Sequence, residues 1–172
     1  MSRPLALVGL PAVGKTTIAA LLADRLGVES IDLDDVVVSD AGQSIPEIFE
    51  NEGEVGFRHR ESEALRSALQ PDGPGVVACG GGVVIAAGNR EVLAERACCI
   101  WLTAPLGLLA DRARELLGSR PLLDGDLDRQ LVGLAAERDP LYRSVADLVV
   151  DVAGMQPAQV VDRIVEGLGA DA

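Results

Sequence analysis

Aromatic side chains are nearly absent from this chain, with one Trp, one Tyr and two Phe among 172 residues. A core without rings must be filled by Val, Leu, Ile and Ala, which suits buried strands flanked by helices and points to an α/β architecture. Positive charge is also scarce: 15 Lys and Arg stand against 27 Asp and Glu, for a formal charge of −12. Nucleic acid and anionic membranes reward a basic face, so neither is expected as a partner. Any anionic ligand must instead be held by local positive groups. Three cysteines, two of them adjacent at Cys98 and Cys99, offer neither a disulfide framework nor a metal spacing. No window approaches the roughly 18 apolar residues of a membrane span. The apolar run before Gly9 is too short for a signal peptide, and the reducing cytosol is the expected compartment. With no repeat, low-complexity tract or interdomain linker, residues 1–172 are expected to form one domain that buries about two thirds of its unfolded surface.

What is present is alternation. Five short runs rich in Val, Ile and Leu (Leu5 to Val8, Val28 to Ile31, Gly75 to Cys79, Ala97 to Leu102 and Leu148 to Val152) are separated by helical patterns. That order predicts crossover connections and a parallel sheet. Thr16 to Leu26 reads as the first helix, stopped by Gly27. Ser44-Ile45-Pro46-Glu47 is a capping box that opens a helical stretch to about Leu69, interrupted at Gly53 and Gly56. Asn89 to Arg96 and Pro105 to about Leu117 follow as helices. Gly118 to Asp128 is polar and aperiodic and predicts a mobile loop. A further helix is expected to end at Arg138, before Asp139-Pro140, and Pro157 to open the last one.

Gly9-Leu10-Pro11-Ala12-Val13-Gly14-Lys15-Thr16 fits G-x-x-x-x-G-K-[ST] at every fixed position, between an apolar strand and a helix. In such a loop the backbone N–H groups turn inward onto phosphate oxygens, and the positive end of the following helix adds to the field. Lys15 is placed to reach the β- and γ-phosphates, and the Thr16 hydroxyl to ligate Mg²⁺. The loop alone does not name the phosphate acceptor. A metal-associated acid is often carried at the end of a later strand, but Val76-Val77-Ala78-Cys79 runs into Gly80-Gly81-Gly82 without one. Asp32-Leu33-Asp34 follows the second strand instead, and residues two apart on an extended chain point to one side. Asp32 is assigned to Mg²⁺ through water, and Asp34 to the acceptor hydroxyl as positioner or general base. The competing reading, a solvated acidic loop, weakens once the phosphate loop stands ahead of it.

The phosphate loop, Asp32-x-Asp34, Gly42-x-Ser44-Ile45-x-Glu47-Ile48-Phe49, Gly53-Glu54-x-x-Phe57-Arg58-x-x-Glu61, Gly80-Gly81-Gly82, Arg120-Pro121-Leu122-Leu123 and Pro140-Leu141-Tyr142-Arg143 occur in the order of the shikimate kinase family, which the chain resembles over about residues 5–168. The resemblance implies a three-layer P-loop fold with a five-stranded parallel sheet of order 2-3-1-4-5, a substrate-binding region over about residues 32–62 and a lid over about 112–127. It implies that ATP, with Mg²⁺, phosphorylates the 3-hydroxyl of shikimate on the route to chorismate and the aromatic amino acids, in a protein expected to be a monomer. Gly9, Ala12, Val13, Gly14, Lys15, Thr16 and Thr17 would hold the nucleotide, with Arg112 or Arg114 packed on adenine and Arg112 the preferred assignment. Asp34, Arg58, Gly80, Gly81, Gly82 and Arg143 would hold shikimate. Arg120 would reach the phosphates from the lid, making Lys15, Asp34 and Arg120 the catalytic set.

The residue chemistry agrees. Arg58 and Arg143 carry planar forks suited to a carboxylate, and a glycine triplet lets a ring approach the backbone closely. Ala12-Val13 stands where the family often has Gly-Ser, at positions whose backbone does the binding. His59 reads as a surface residue, Tyr142 and Trp101 as packing, and Cys79 as a small core residue. The alternatives are a kinase of another small hydroxy acid such as gluconate, or a non-catalytic nucleotide-binding homologue. The second should have lost Lys15, Asp34 or Arg120, and all three are present.

Overall fold

The computed structural model describes residues 3–117 and 124–170. Strands β1 (Leu5–Val8), β2 (Ser30–Asp32), β3 (Val76–Ala78), β4 (Cys98–Thr103) and β5 (Leu148–Asp151) form one parallel sheet in the order β2-β3-β1-β4-β5. Its helices are α1 (Lys15–Leu26), α2 (Leu33–Ala41), α3 (Ile45–Ala68), α4 (Ala87–Arg96), α5 (Leu106–Leu117), α6 (Asp124–Val145) and α7 (Pro157–Ala170). Ala6, Leu7 and Val8 of the central strand are fully buried, as are Val76, Val77, Cys99 and Ile100 of its neighbours. Continuous aliphatic runs suit strands covered on both faces, and the edge strand β2 is only half-buried throughout. Leu5 pairs with Val76 on one side and Cys98 on the other. This register brings the carboxyl ends of β1, β3 and β4 together, and a crevice in an open α/β sheet lies there.

The alternation called from the sequence is the observed one, and the order 2-3-1-4-5 is confirmed. Three local expectations change. The stretch after β2 does not stay extended: Asp32 caps α2, accepting the Asp34 amide at 2.9 Å, so Asp34 stands in the first turn of a helix. Pro140 does not end α6, which runs through it to Val145. The ring removes one hydrogen bond, the one that the Ala136 carbonyl would accept, and the flanking packing carries the helix past it. The expected loop over residues 118–128 is helical from Asp124, while 118–123 lie outside the described residues. Elsewhere the capping box forms as read, with Glu47 Oε2 accepting from the Ser44 amide at 2.7 Å and hydroxyl at 2.6 Å. Gly53, at φ 69° and ψ −176°, breaks α3 where the sequence places an interruption.

The phosphate loop is shaped by a close approach and a strained residue. A Cβ on Gly9 would lie 2.5 Å from the Leu102 carbonyl oxygen, so only glycine lets β1 turn there beside β4. Ala12 adopts φ 63° and is the only described non-glycine residue with positive φ. The left-handed conformation costs an L-residue about 1–2 kcal/mol. Replacing Ala12 with glycine removes that cost but loosens the unfolded chain by about 0.4–1 kcal/mol. The difference predicts that Ala12→Gly stabilises the fold by about 0.5–1 kcal/mol and raises Tm by about 1–4 °C. Calorimetric unfolding of the two proteins checks it, and a lower Tm for the variant would contradict the strain assignment.

Candidate active site

The loop between β1 and α1 builds the floor of the site. In the empty loop Lys15 Nζ donates to the carbonyls of Gly9 and Leu10, each at 2.9 Å, so the loop holds its own lysine. Burial lowers the Lys15 pKa to about 8, while Cys79, Asp34 and Asp32 pull the other way. Thr16 Oγ1 donates to Asp32 Oδ2 at 2.6 Å. Lys15, Thr16, Asp32, Asp34, Cys79 and Gly80 share a cleft of about 420 Å³. Burial raises the Asp34 pKa first and the neighbouring Asp32 charge second, with Lys15 opposing. The expected acid pair is therefore at the phosphate loop, though through a helix cap rather than an extended strand.

Thr16 and Asp32 offer hard oxygen donors beside the phosphate loop, the chemistry that Mg²⁺ takes. Among the described residues no group of three or more His, Cys, Asp or Glu could hold a metal by itself.

The glycine triplet after β3 makes the opposite wall. A Cβ on Gly80 would lie 2.9 Å from both Asp34 Oδ1 and Glu61 Oε1. One on Gly81 would stand 3.2 Å from Pro11 Cδ and 3.5 Å from Arg138 Nη1, and one on Gly82 would collide with the Arg58 guanidinium. Arg58 Nη1 donates to buried Glu61 Oε2 at 2.8 Å, and its guanidinium lies 5.2 Å from the Phe57 ring centroid. Phe57 stacks on Phe49 at 4.8 Å. Burial raises the Glu61 pKa, with Arg58 opposing. Arg58 Nε, Arg138 Nε and Glu61 Oε1 are buried without a hydrogen-bond partner. They are groups that a polar ligand can satisfy.

Arg143 does not join them. It is exposed, with its guanidinium 5.2 Å over the Trp101 ring. It stands five positions after Arg138 on the helix, about 140° around the axis, so one arginine faces the triplet and the other turns away. Arg138 takes the place expected of Arg143. A helix ending before Asp139-Pro140 hides the i, i+4 pairing of Arg138 with Tyr142, which is why the sequence alone does not point to Arg138. Glu61 had a visible signal, three residues beyond Arg58 on one helix, but no role was drawn from it.

A second cavity, of about 380 Å³, continues from the cleft over Ala12, Gly14 and Thr17. Arg112 lines it and donates to the Val13 carbonyl at 3.3 Å. Arg114 instead contacts Asp111 and Asp128, each at 3.0 Å. Met155 and Pro157 close the far side, with Val152 and Val160 supplying apolar surface suited to a planar base. Arg120 lies outside the described residues.

A phosphate loop at the switch point of a 2-3-1-4-5 sheet, an acid on its lysine side and an arginine-lined wall opposite define a P-loop kinase of a small anionic acceptor. Residues 11–169 match the model of the shikimate kinase family. The chain is 44% identical over 163 residues to a shikimate kinase of Halorhodospira halophila, covering 94% of this chain and 91% of that one. It superposes with a TM-score of 0.89 on the shikimate kinase from Acinetobacter baumannii in complex with shikimate, at 34% identity over 98% of this chain and 94% of that one. The chain belongs to the shikimate kinase family. A gluconokinase from Sinorhizobium meliloti, at 16% identity and a TM-score of 0.65, shares the fold alone.

The lysine geometry yields a test. At pH 8.5 much of Lys15 in the empty site is neutral, whereas bound phosphates favour its charged form. ATP binding should therefore take up about 0.7 proton at pH 8.5, and affinity should fall as pH rises above 8. Calorimetric titrations in two buffers of different ionisation enthalpy measure the uptake, and none at pH 8.5 would overturn the assignment.

Proposed function

We propose that this protein transfers the γ-phosphoryl group of ATP to the 3-hydroxyl of shikimate, giving ADP and 3-phosphoshikimate. One observation carries the reading: the glycine triplet runs past Asp34, Arg138 and Arg58 in turn, and its Gly80 and Gly81 line the cleft that holds Lys15 and Asp34. A carboxylated, hydroxylated ring has a matching partner for each group there. The guanidinium forks of Arg58 and Arg138 take its carboxylate. Asp34 takes the hydroxyl, and the missing side chains at Gly80, Gly81 and Gly82 let the ring lie against the backbone. Gluconate shares the carboxylate but has no ring to use that flat wall.

The hydroxyl oxygen attacks the γ-phosphorus, its proton passes to the Asp34 carboxylate, and the bond from phosphorus to the bridging oxygen breaks to release ADP. Lys15 leaves the Gly9 and Leu10 carbonyls for the β- and γ-phosphates, with Gly9, Val13, Gly14 and Thr17 supporting them through the loop. Thr16 and Asp32 would hold Mg²⁺, which neutralises phosphate charge when bound. Arg112 packs beside the adenine. Arg120, entering from the lid over about residues 112–127, stabilises charge on the transferring group. No described helix is long and apolar enough to cross a membrane. A monomer working in the cytoplasm completes the proposal.

A coupled assay of ADP release with shikimate, gluconate or no acceptor tests it. Turnover should require shikimate and divalent metal together, and faster turnover with gluconate would refute the substrate. Asp34→Asn should lower kcat by about 10²–10⁴-fold while nucleotide binding survives. Because the Asp34 pKa is raised, the acid limb of the kcat profile should begin above the ordinary aspartate range and vanish in that variant. Arg120→Ala should cost about 10³–10⁵-fold in kcat. Arg138→Ala should raise the KM for shikimate well beyond Arg143→Ala, and the reverse ranking would restore Arg143 to the site.

A further inference from the structure

Tyr142 is the only tyrosine of the chain, and its side chain is fully buried on α6. A buried phenol needs a partner for its hydroxyl. The partner is the Gly81 carbonyl, to which Tyr142 Oη donates in a very short contact across 61 residues of sequence. Arg138, one turn earlier on α6, lies close enough for its charge to act on the same hydroxyl. A carbonyl only accepts, so the phenolic proton is committed to Gly81 and a lone pair remains for the guanidinium. Burial pushes the hydroxyl pKa well above its ordinary value, which keeps the group protonated and donating. The ring also packs on Trp101, 5.9 Å away between centroids, and the Arg143 guanidinium lies 5.2 Å from the same indole.

We propose that Tyr142 is a positioning residue for acceptor binding: its one hydroxyl sets both the peptide between Gly81 and Gly82 and the guanidinium of Arg138. Holding the Gly81 carbonyl fixes the Gly82 N–H of the same planar peptide. Arg138, with no hydrogen-bond partner on its buried Nε, would otherwise be free to rotate off the recess. The wall and the arginine thus reach the acceptor as one unit, tied together at the Tyr142 hydroxyl. Arg143, on the Trp101 ring that packs against Tyr142, has a supporting place in that unit rather than contact with the acceptor.

This inference rests on shikimate as the acceptor, and the experiment separates the two claims. Growth on 3-fluorotyrosine labels Tyr142 alone, so the protein gives one ¹⁹F resonance. In the labelled wild-type protein, shikimate without nucleotide should shift that resonance along a saturable curve that matches its calorimetric Kd. Tyr142→Phe retains the ring on Trp101, and shikimate should bind it about tenfold more weakly while ATP affinity is unchanged. Wild-type protein that does not bind shikimate would overturn the acceptor assignment and the inference with it. If shikimate binds but leaves the resonance in place, or if Tyr142→Phe binds it as tightly as wild type, the positioning role fails and the acceptor assignment stands. Equal losses of shikimate and ATP affinity would reduce Tyr142 to a packing residue. Should Tyr142→Phe not fold, the resonance of the wild-type protein decides alone.

Discussion

Backbone without side chains, from Gly80 to Gly82, is the constraint around which the cleft is organised. Two neighbouring elements send a polar group into the volume that a Cβ would occupy, Asp34 from α2 and Arg58 and Glu61 from α3, and Arg138 from α6 stands in contact beside it. An added methyl at Gly82 would meet the Arg58 guanidinium, and at Gly80 two carboxyl oxygens at 2.9 Å. Such groups have little room to give way, because Glu61 is buried and hydrogen-bonded to Arg58. A single substitution there would therefore displace a charge rather than a flexible tail. The site's precision thus comes from a place where the sequence has almost no side-chain chemistry.

Charge follows from the same closeness. A chain of net charge −12 must hold anions, and it does so by concentrating a few cations where desolvation strengthens them. Lys15, Arg58 and Arg138 stand among Asp32, Asp34 and Glu61, so the empty recess is nearly balanced rather than strongly basic. The balance explains the opposed shifts. Burial lowers Lys15 and raises Asp34 and Glu61, and each group is held back from a larger shift by an opposite charge. An anionic ligand entering such a recess replaces internal pairings with its own.

Much of this was legible in the residues. Aliphatic runs without aromatics gave the parallel sheet, and the spacing from Gly9 to Thr16 gave the loop, because both depend on local pattern. Helix α2 was hidden because a three-residue strand is followed without a break by its own cap, Asp32, whose side chain also serves the loop threonine. Arg138 was hidden by a proline rule that holds for isolated helices but yields to packing, since α6 is braced against α4, α5 and β4. With the helix ended about two turns early, Arg143 in its Pro-Leu-Tyr-Arg context looked like the better fork. Only the rotation between positions 138 and 143 decides between them, and that is a property of the continued helix.

The loop lysine shows how an empty site can be prepared for a ligand it has not met. Its ammonium is already desolvated and has two carbonyl partners at 2.9 Å, so the dehydration cost is met during folding rather than on binding. Phosphate oxygens taken by Lys15 would replace neutral acceptors with charged ones, and charge-assisted bonds are roughly twice as strong. The exchange favours the nucleotide without requiring Lys15 to be unsatisfied beforehand. It also frees the Gly9 and Leu10 carbonyls, and Gly9 is the residue pressed against the Leu102 carbonyl of β4. The loop that carries Lys15 thus touches β4 at Leu102, one residue from the Trp101 that packs on Tyr142.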